Sequence, residues 1–159
     1  MNYIMETFLE YPDNSSISAI VYFCGCDRNC SGCHNTDLQE YRSLPISLND
    51  IKNYCKRLKT NKIVLCGGDP LYFKNLKRTR EILAELGKDY DICIYTGANI
   101  EEVKKLNLKG FKFIKCGVFD YANFIGSEKT DKYLKLATSN QELYDSNLKL
   151  VSKNGFYYF

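Results

Sequence analysis

The sequence predicts an α/β fold, an incomplete β/α barrel, and three observations carry that expectation. Short apolar runs alternate with stretches of helical spacing, the pattern of parallel strands joined by right-handed crossovers. Glycine-containing turns follow the apolar runs, where strand ends of a parallel sheet open onto a site. The chain has 159 residues, whereas a closed eight-unit barrel takes about 250. The barrel is therefore expected to be partial, within one domain spanning residues 1–159.

Each element has a local reason. Ile17 to Phe23 is apolar enough for a buried strand, and it leads into a cysteine-rich loop. Ser47 is a good N-cap with Asp50 three residues on, and Leu48, Ile51, Cys55 and Leu58 then recur at helical spacing. Lys62 to Cys66 is a second strand, ending in Gly67-Gly68-Asp69-Pro70. Leu76, Leu83 and Leu86 mark a helix that Gly87 closes. Asp91 to Tyr95 is a strand, Thr96-Gly97 a turn, and Ile100 to Leu106 a helix capped by Asn99 with Glu102 three residues later. Phe111 to Lys115 is the next strand. After Gly117 the pattern is mixed, and Leu148 to Phe159 alternates around Asn154-Gly155 as a C-terminal hairpin-like extension would.

Composition narrows the class. At 45% hydrophobic the chain can build a core. Its net charge of +3, from 22 basic and 19 acidic residues, forms no stripe of the kind that nucleic-acid binding needs, so no nucleic acid is expected as a partner. The apolar runs are too short to span a bilayer and the amino terminus lacks a signal-peptide pattern, so no membrane is expected and the expected location is cytoplasmic. Eight cysteines that look free belong in a reducing compartment.

Chemistry concentrates in Cys24-Gly25-Cys26-Asp27-Arg28-Asn29-Cys30-Ser31-Gly32-Cys33-His34-Asn35. Cys26, Cys30 and Cys33 are spaced so that one loop can wrap three thiolates around one face of an iron–sulfur cube. One iron then stays without a protein ligand, and an open position marks metal chemistry rather than metal structure. Structural zinc is the alternative, though such sites usually draw two pairs from separate loops and no second C-x2-C follows. Cys24 ends an apolar strand and reads as a small hydrophobe. Cys55, Cys66, Cys93 and Cys116 lie singly in helix or strand and read as ordinary buried thiols. Four strand-end loops converge on one site: the cysteine loop, Gly67-Gly68-Asp69, Tyr95-Thr96-Gly97 and Lys115-Cys116-Gly117.

The C-x3-C-x2-C spacing resembles the radical S-adenosylmethionine enzymes, and Gly67-Gly68-Asp69 resembles their Gly-Gly-Glu element with one methylene less. The Gly32-Cys33-His34-Asn35 ending is similar to that of glycyl-radical activases. Ala137-Thr138-Ser139-Asn140-Gln141 resembles an element of the anaerobic ribonucleoside-triphosphate reductase activating proteins, in which arginine often follows where this chain has Glu142. The resemblance runs from roughly Phe8 to Tyr144. It implies a partial barrel of the radical S-adenosylmethionine type and a [4Fe–4S] cluster on Cys26, Cys30 and Cys33. It also implies S-adenosyl-L-methionine as cofactor, its amino group at Gly67, Gly68 and Asp69. Gly32 and His34, beside Cys33, would lie along the adenine; a solvent-facing loop residue is the plain alternative for His34. Thr96 and Lys115 are weaker cofactor candidates. The implied activity is formation of a glycyl radical on the large subunit of anaerobic ribonucleoside-triphosphate reductase, with a flavodoxin- or ferredoxin-type electron donor. The rivals are the activase of pyruvate formate-lyase, a 7-carboxy-7-deazaguanine synthase, or a non-catalytic iron–sulfur or zinc binding module. Tyr144, Tyr157 and Tyr158 suit a partner surface, or more simply a hairpin packed on the sheet.

Overall fold

The computed structural model describes residues 4–14 and 17–159. Strand β1 (Ile4–Thr7) is followed by β2 (Ser18–Phe23), helix α1 (Leu48–Leu58), β3 (Lys62–Gly67), α2 (Leu76–Leu86), β4 (Asp91–Tyr95), α3 (Ile100–Leu106) and β5 (Phe113–Cys116). Four short strands complete the chain: β6 (Glu128–Lys129), β7 (Tyr133–Lys135), β8 (Glu142–Asp145) and β9 (Phe156–Tyr158). The main sheet has the order β1-β2-β3-β4-β5-β8. Its four central strands are parallel, and β1 and β8 run antiparallel at the two edges. A separate antiparallel sheet has the order β6-β7-β9.

The helices form where the sequence caps them. Ser47 accepts from Asp50 N and the Asp50 carboxylate accepts from Ser47 N, closing a capping box on α1. Asn99 and Glu102 do the same for α3. Side chains alternate across a strand, so the two faces of the sheet separate by residue parity. Val21, Phe23, Leu65, Ile94 and Ile114 join Ile51, Ile82, Leu86 and Val103 of the three helices in the main core. At about 1.5–3 kcal/mol for each large aliphatic side chain removed from water, this face fixes the register of the sheet. Ile20, Val64 and Cys93 line the opposite face with Tyr11. Toward the carboxyl ends of the strands, that second face carries Tyr22, Cys66, Tyr95 and Lys115, which wall a cavity.

The carboxyl end departs from the expected hairpin. Asn154 and Gly155 do form a tight turn with positive φ at both, and Lys153 and Phe156 exchange backbone hydrogen bonds across it. However, β9 takes β7 as its strand partner. Residues before the turn pair elsewhere, with Val151 N donating to Leu143 O and Leu150 bridging Tyr144. The apolar cluster of Leu134, Leu136 and Leu143 against Phe113 and Tyr157 explains the choice, because it draws β7, β8 and the C-terminal segment onto β5. No helix among the described residues is long and apolar enough to cross a membrane.

Candidate functional site

The cysteine loop leaves β2 and folds back so that its far end meets its start. Gly25 N donates to Leu38 O at 2.7 Å and Cys26 N to Gln39 O at 3.0 Å, closing the base of the loop. The turn after β3 threads beneath this base: Gly68 N donates to Phe23 O and Asp69 N to Gly25 O. The threading leaves no space for a side chain at Gly68, where a Cβ would stand 2.6 Å from the carbonyl oxygens of both Gly25 and Leu38. Gly67 adds a φ of +113°, a conformation that favours glycine. Buried Asn75 secures the junction through its side-chain amide, which donates to Cys24 O at 3.1 Å and Asp69 O at 2.9 Å.

These turns surround a cavity of about 280 Å³ at the carboxyl ends of the parallel strands. Cys26, Cys30 and Cys33 all line it, as do His34, Gly67, Gly68, Asp69, Thr96 and Lys115. Each of the three thiols is partly exposed. Burial pushes the Cys26 thiol up from its ordinary value, and the Arg28 backbone N–H partly offsets the shift. Among the described residues no three His, Cys, Asp or Glu side chains form a group that could hold one metal ion. The three thiols share a wall rather than a point. Three soft sulfur donors from one loop, facing a cavity large enough to admit more than an ion, fit a cluster.

The other loop cysteine is set apart. Cys24 is 1% exposed and does not line the cavity, and its sulfur faces Arg42 Nη2 at 3.7 Å. Burial holds the Cys55 thiol up at about 11 and the Cys116 thiol at about 12. Cys66 and Cys93 are raised for the same reason, although Cys66 touches the cavity from β3. Gly32 is not among the cavity-lining residues; a Cβ there would meet Tyr121 at 3.2 Å and Phe119 at 3.4 Å. His34 packs its ring on Phe119, with centroids 4.6 Å apart.

Asp69 is 2% exposed, and three protein groups donate to its carboxylate. Oδ1 accepts from Leu71 N at 2.9 Å and Thr96 Oγ1 at 2.8 Å, while Oδ2 accepts from Gly97 N at 3.0 Å. Arg28 Nε stands 4.0 Å from Oδ2. Burial raises the Asp69 carboxyl from its ordinary value against the pull of these donors. Lys115 lines the cavity with its ammonium group 3.9 Å over the Tyr95 ring, and burial lowers its pKa. Gln141 also lines the cavity. Its Oε1 accepts from Thr138 N and its Nε2 donates to Gly117 O, while Asn140 Nδ2 donates to Val118 O. The Thr138–Gln141 turn thus holds the segment after β5 against the site. Arg28 and Phe119 are among the cavity residues that had no functional reading in the sequence. Nothing local signals Phe119. The signal for Arg28 was its place midway between Cys26 and Cys30, with an acidic capping residue available at Glu102.

Residues 16–144 match the model of the 4Fe-4S single cluster domain family. The chain is 27% identical over 157 residues to the anaerobic ribonucleoside-triphosphate reductase-activating protein of Escherichia coli, covering 91% of this chain and 98% of that protein. It is 24% identical over 116 residues to the protein of the same name from Haemophilus influenzae, covering 66% and 74%. With the Pasteurella multocida protein of that name it shares 26% identity over 115 residues, covering 65% and 72%. No solved structure matches the chain at a significant level.

Proposed function

The chain belongs to the 4Fe-4S single cluster domain family, and from that premise we propose that it is a radical S-adenosylmethionine activase of anaerobic ribonucleoside-triphosphate reductase. Cys26, Cys30 and Cys33 are the proposed ligands of a [4Fe–4S] cluster. One observation carries the reading: three thiols of a single loop line the same cavity as the Gly67-Gly68-Asp69 turn, while Cys24 of that loop is buried away from it. The names of the relatives from three bacteria support the choice of activity.

Cys26, Cys30 and Cys33 would hold the cluster and Gly67, Gly68 and Asp69 the S-adenosylmethionine, and the two groups, given an electron from an external donor, would supply carbon–sulfur bond cleavage and hydrogen abstraction from a glycine Cα. The protein's part is orientation and exclusion of water. Gly67 and Gly68 let backbone approach a ligand without side chains between. Asp69 places negative charge at the cavity wall for an ammonium group, with Thr96 and Gly97 fixing that charge. Lys115, which also lines the cavity, offers a cation to a carboxylate. His34 and Phe119 present aromatic surface for a planar ring. The central parallel strands, with helices packed on one face and the cavity on the other, support reading the sheet as an incomplete barrel whose open side admits a glycine loop of the reductase large subunit. A flavodoxin- or ferredoxin-type donor and a cytoplasmic setting complete the proposal.

Anaerobic reconstitution tests it. The expected product holds about four iron and four sulfide per chain and releases 5′-deoxyadenosine when given S-adenosylmethionine and a strong reductant. Zinc in place of iron, or a full cluster with no 5′-deoxyadenosine, overturns it in favour of a binding module.

A further inference from the structure

Arg28 lies two residues after Cys26 and two before Cys30, and its guanidinium reaches across the sheet end. Nη1 donates to Glu102 Oε2 at 3.2 Å and Nη2 to Glu102 Oε1 at 3.1 Å, a two-pronged contact. Glu102 is itself fixed, because its Oε2 also accepts from Asn99 N at 2.8 Å in the capping box of α3. Arg28 Nε faces buried Asp69 Oδ2 at 4.0 Å. The stem of Arg28 runs over Gly97, where a Cβ would stand 3.0 Å from Arg28 Cγ. One side chain therefore joins the turns after β2, β3 and β4.

The neighbouring backbone makes this contact important. Among the described residues, apart from the Arg28 backbone N–H that donates to neighbouring Cys26, no hydrogen bond other than those of the Arg28 guanidinium joins residues 27–32 to the rest of the fold. Cys33 N donates to Cys30 O, but that bond lies within the loop. The base of the loop is pinned at Gly25 and Cys26, and its far side by Asn35, whose side chain donates to Gly67 O at 3.4 Å. We infer that Arg28 is a positioning residue: it clasps the cysteine loop to the first turn of α3 and holds Cys26 and Cys30 at the cavity wall before any metal arrives. Its functional importance rests on the ligand role proposed above, but the clasp itself is a property of the metal-free chain. Lysine is not an equivalent, since a single ammonium cannot make both contacts to Glu102 while facing Asp69.

The test uses the full-length, metal-free protein under anaerobic conditions, with iodoacetamide alkylation of Cys26, Cys30 and Cys33 followed peptide by peptide. Arg28→Gln and Glu102→Gln are both expected to speed alkylation of Cys30 on the order of fivefold, with the protection of buried Cys55 unchanged. Glu102→Gln retains an acceptor for the α3 cap, so it carries the test if Arg28→Gln loosens the whole fold. Arg28→Lys should restore part of the protection. The double variant should react no faster than either single one, because both remove the same contact. Rates equal to wild type, or additive effects in the double variant, overturn the clasp. Iron content after reconstitution is a separate readout. A wild-type chain that takes no cluster, yet shows these rate changes, rejects the proposed function and leaves the clasp standing.

Discussion

The hydroxyl of Thr96 donates to the carboxylate of Asp69, with Oγ1 2.8 Å from Oδ1, and so ties the turn after β4 to the turn after β3. The same oxygen accepts from Ala98 N at 3.1 Å. Both residues are nearly inaccessible, at 4% and 2% exposed. Removing the hydroxyl therefore takes a donor from a buried carboxylate and leaves the Ala98 N–H without its acceptor. Thr96→Val should lower stability by about 1–2 kcal/mol, read by urea denaturation of the metal-free protein. Asp69→Ala should cost more, about 3 kcal/mol, because it strands the Leu71 and Gly97 N–H groups together with Thr96. An Asp69→Ala chain as stable as wild type would show that the carboxylate serves only a ligand.

Gly68 has backbone on both sides, so a methyl group there cannot be relieved by turning a side chain. Gly68→Ala should separate the turn after β3 from the base of the cysteine loop and sharply reduce iron uptake on reconstitution. Iron and sulfide analysis checks this. Full occupancy in that variant would mean that the contact between Gly68 and Gly25 does not position the thiols.

The cysteines should divide into two groups. Cys26→Ala, Cys30→Ala and Cys33→Ala should each lose the cluster or its response to S-adenosylmethionine. Cys24→Ala should keep both and cost about 1 kcal/mol from lost packing. Loss of iron from Cys24→Ala with retention in Cys26→Ala would reassign the ligand set.

Acid should open the contact between Arg28 and Glu102. The Asn99 N–H, and then the Arg28 fork, hold the Glu102 carboxyl below its ordinary value. A carboxyl depressed in the native state stabilises it fully above the unfolded value, about 4.3, and loses that contribution as pH falls through the native one. The stability difference between wild type and Glu102→Gln should therefore be present at neutral pH and vanish once pH has fallen through the native value. A difference that persists unchanged would remove charge from the account of this contact. Asp69 works in the opposite sense, since burial raises its carboxyl and acid relieves the cost of its charge.

The parallel strands and their helices were legible because each depends on neighbours in sequence: Ile63 to Cys66 by apolar run, and α1 and α3 by capping boxes closed across three residues. Strand β8 was not, since Glu142–Asp145 is short, lies at an edge and takes its pairing from β5 at a distance. The site divides in the same way. Three cysteines within eight residues declare their chemistry locally. Arg28 and Glu102 stand 74 residues apart and meet only once β4 has been laid beside β3. Asp69 was expected to offer a carboxylate to an ammonium group; its sequence context could not show that Thr96, Leu71 and Gly97 would also donate to it.

The most direct test of the central claim is electron paramagnetic resonance of the reconstituted protein, incubated anaerobically with S-adenosylmethionine, reductant and the large subunit of anaerobic ribonucleoside-triphosphate reductase. The expected result is a doublet glycyl-radical signal on the reductase, absent with Cys30→Ala. No signal from a chain that holds its full cluster, or a signal only with pyruvate formate-lyase, would contradict the claim.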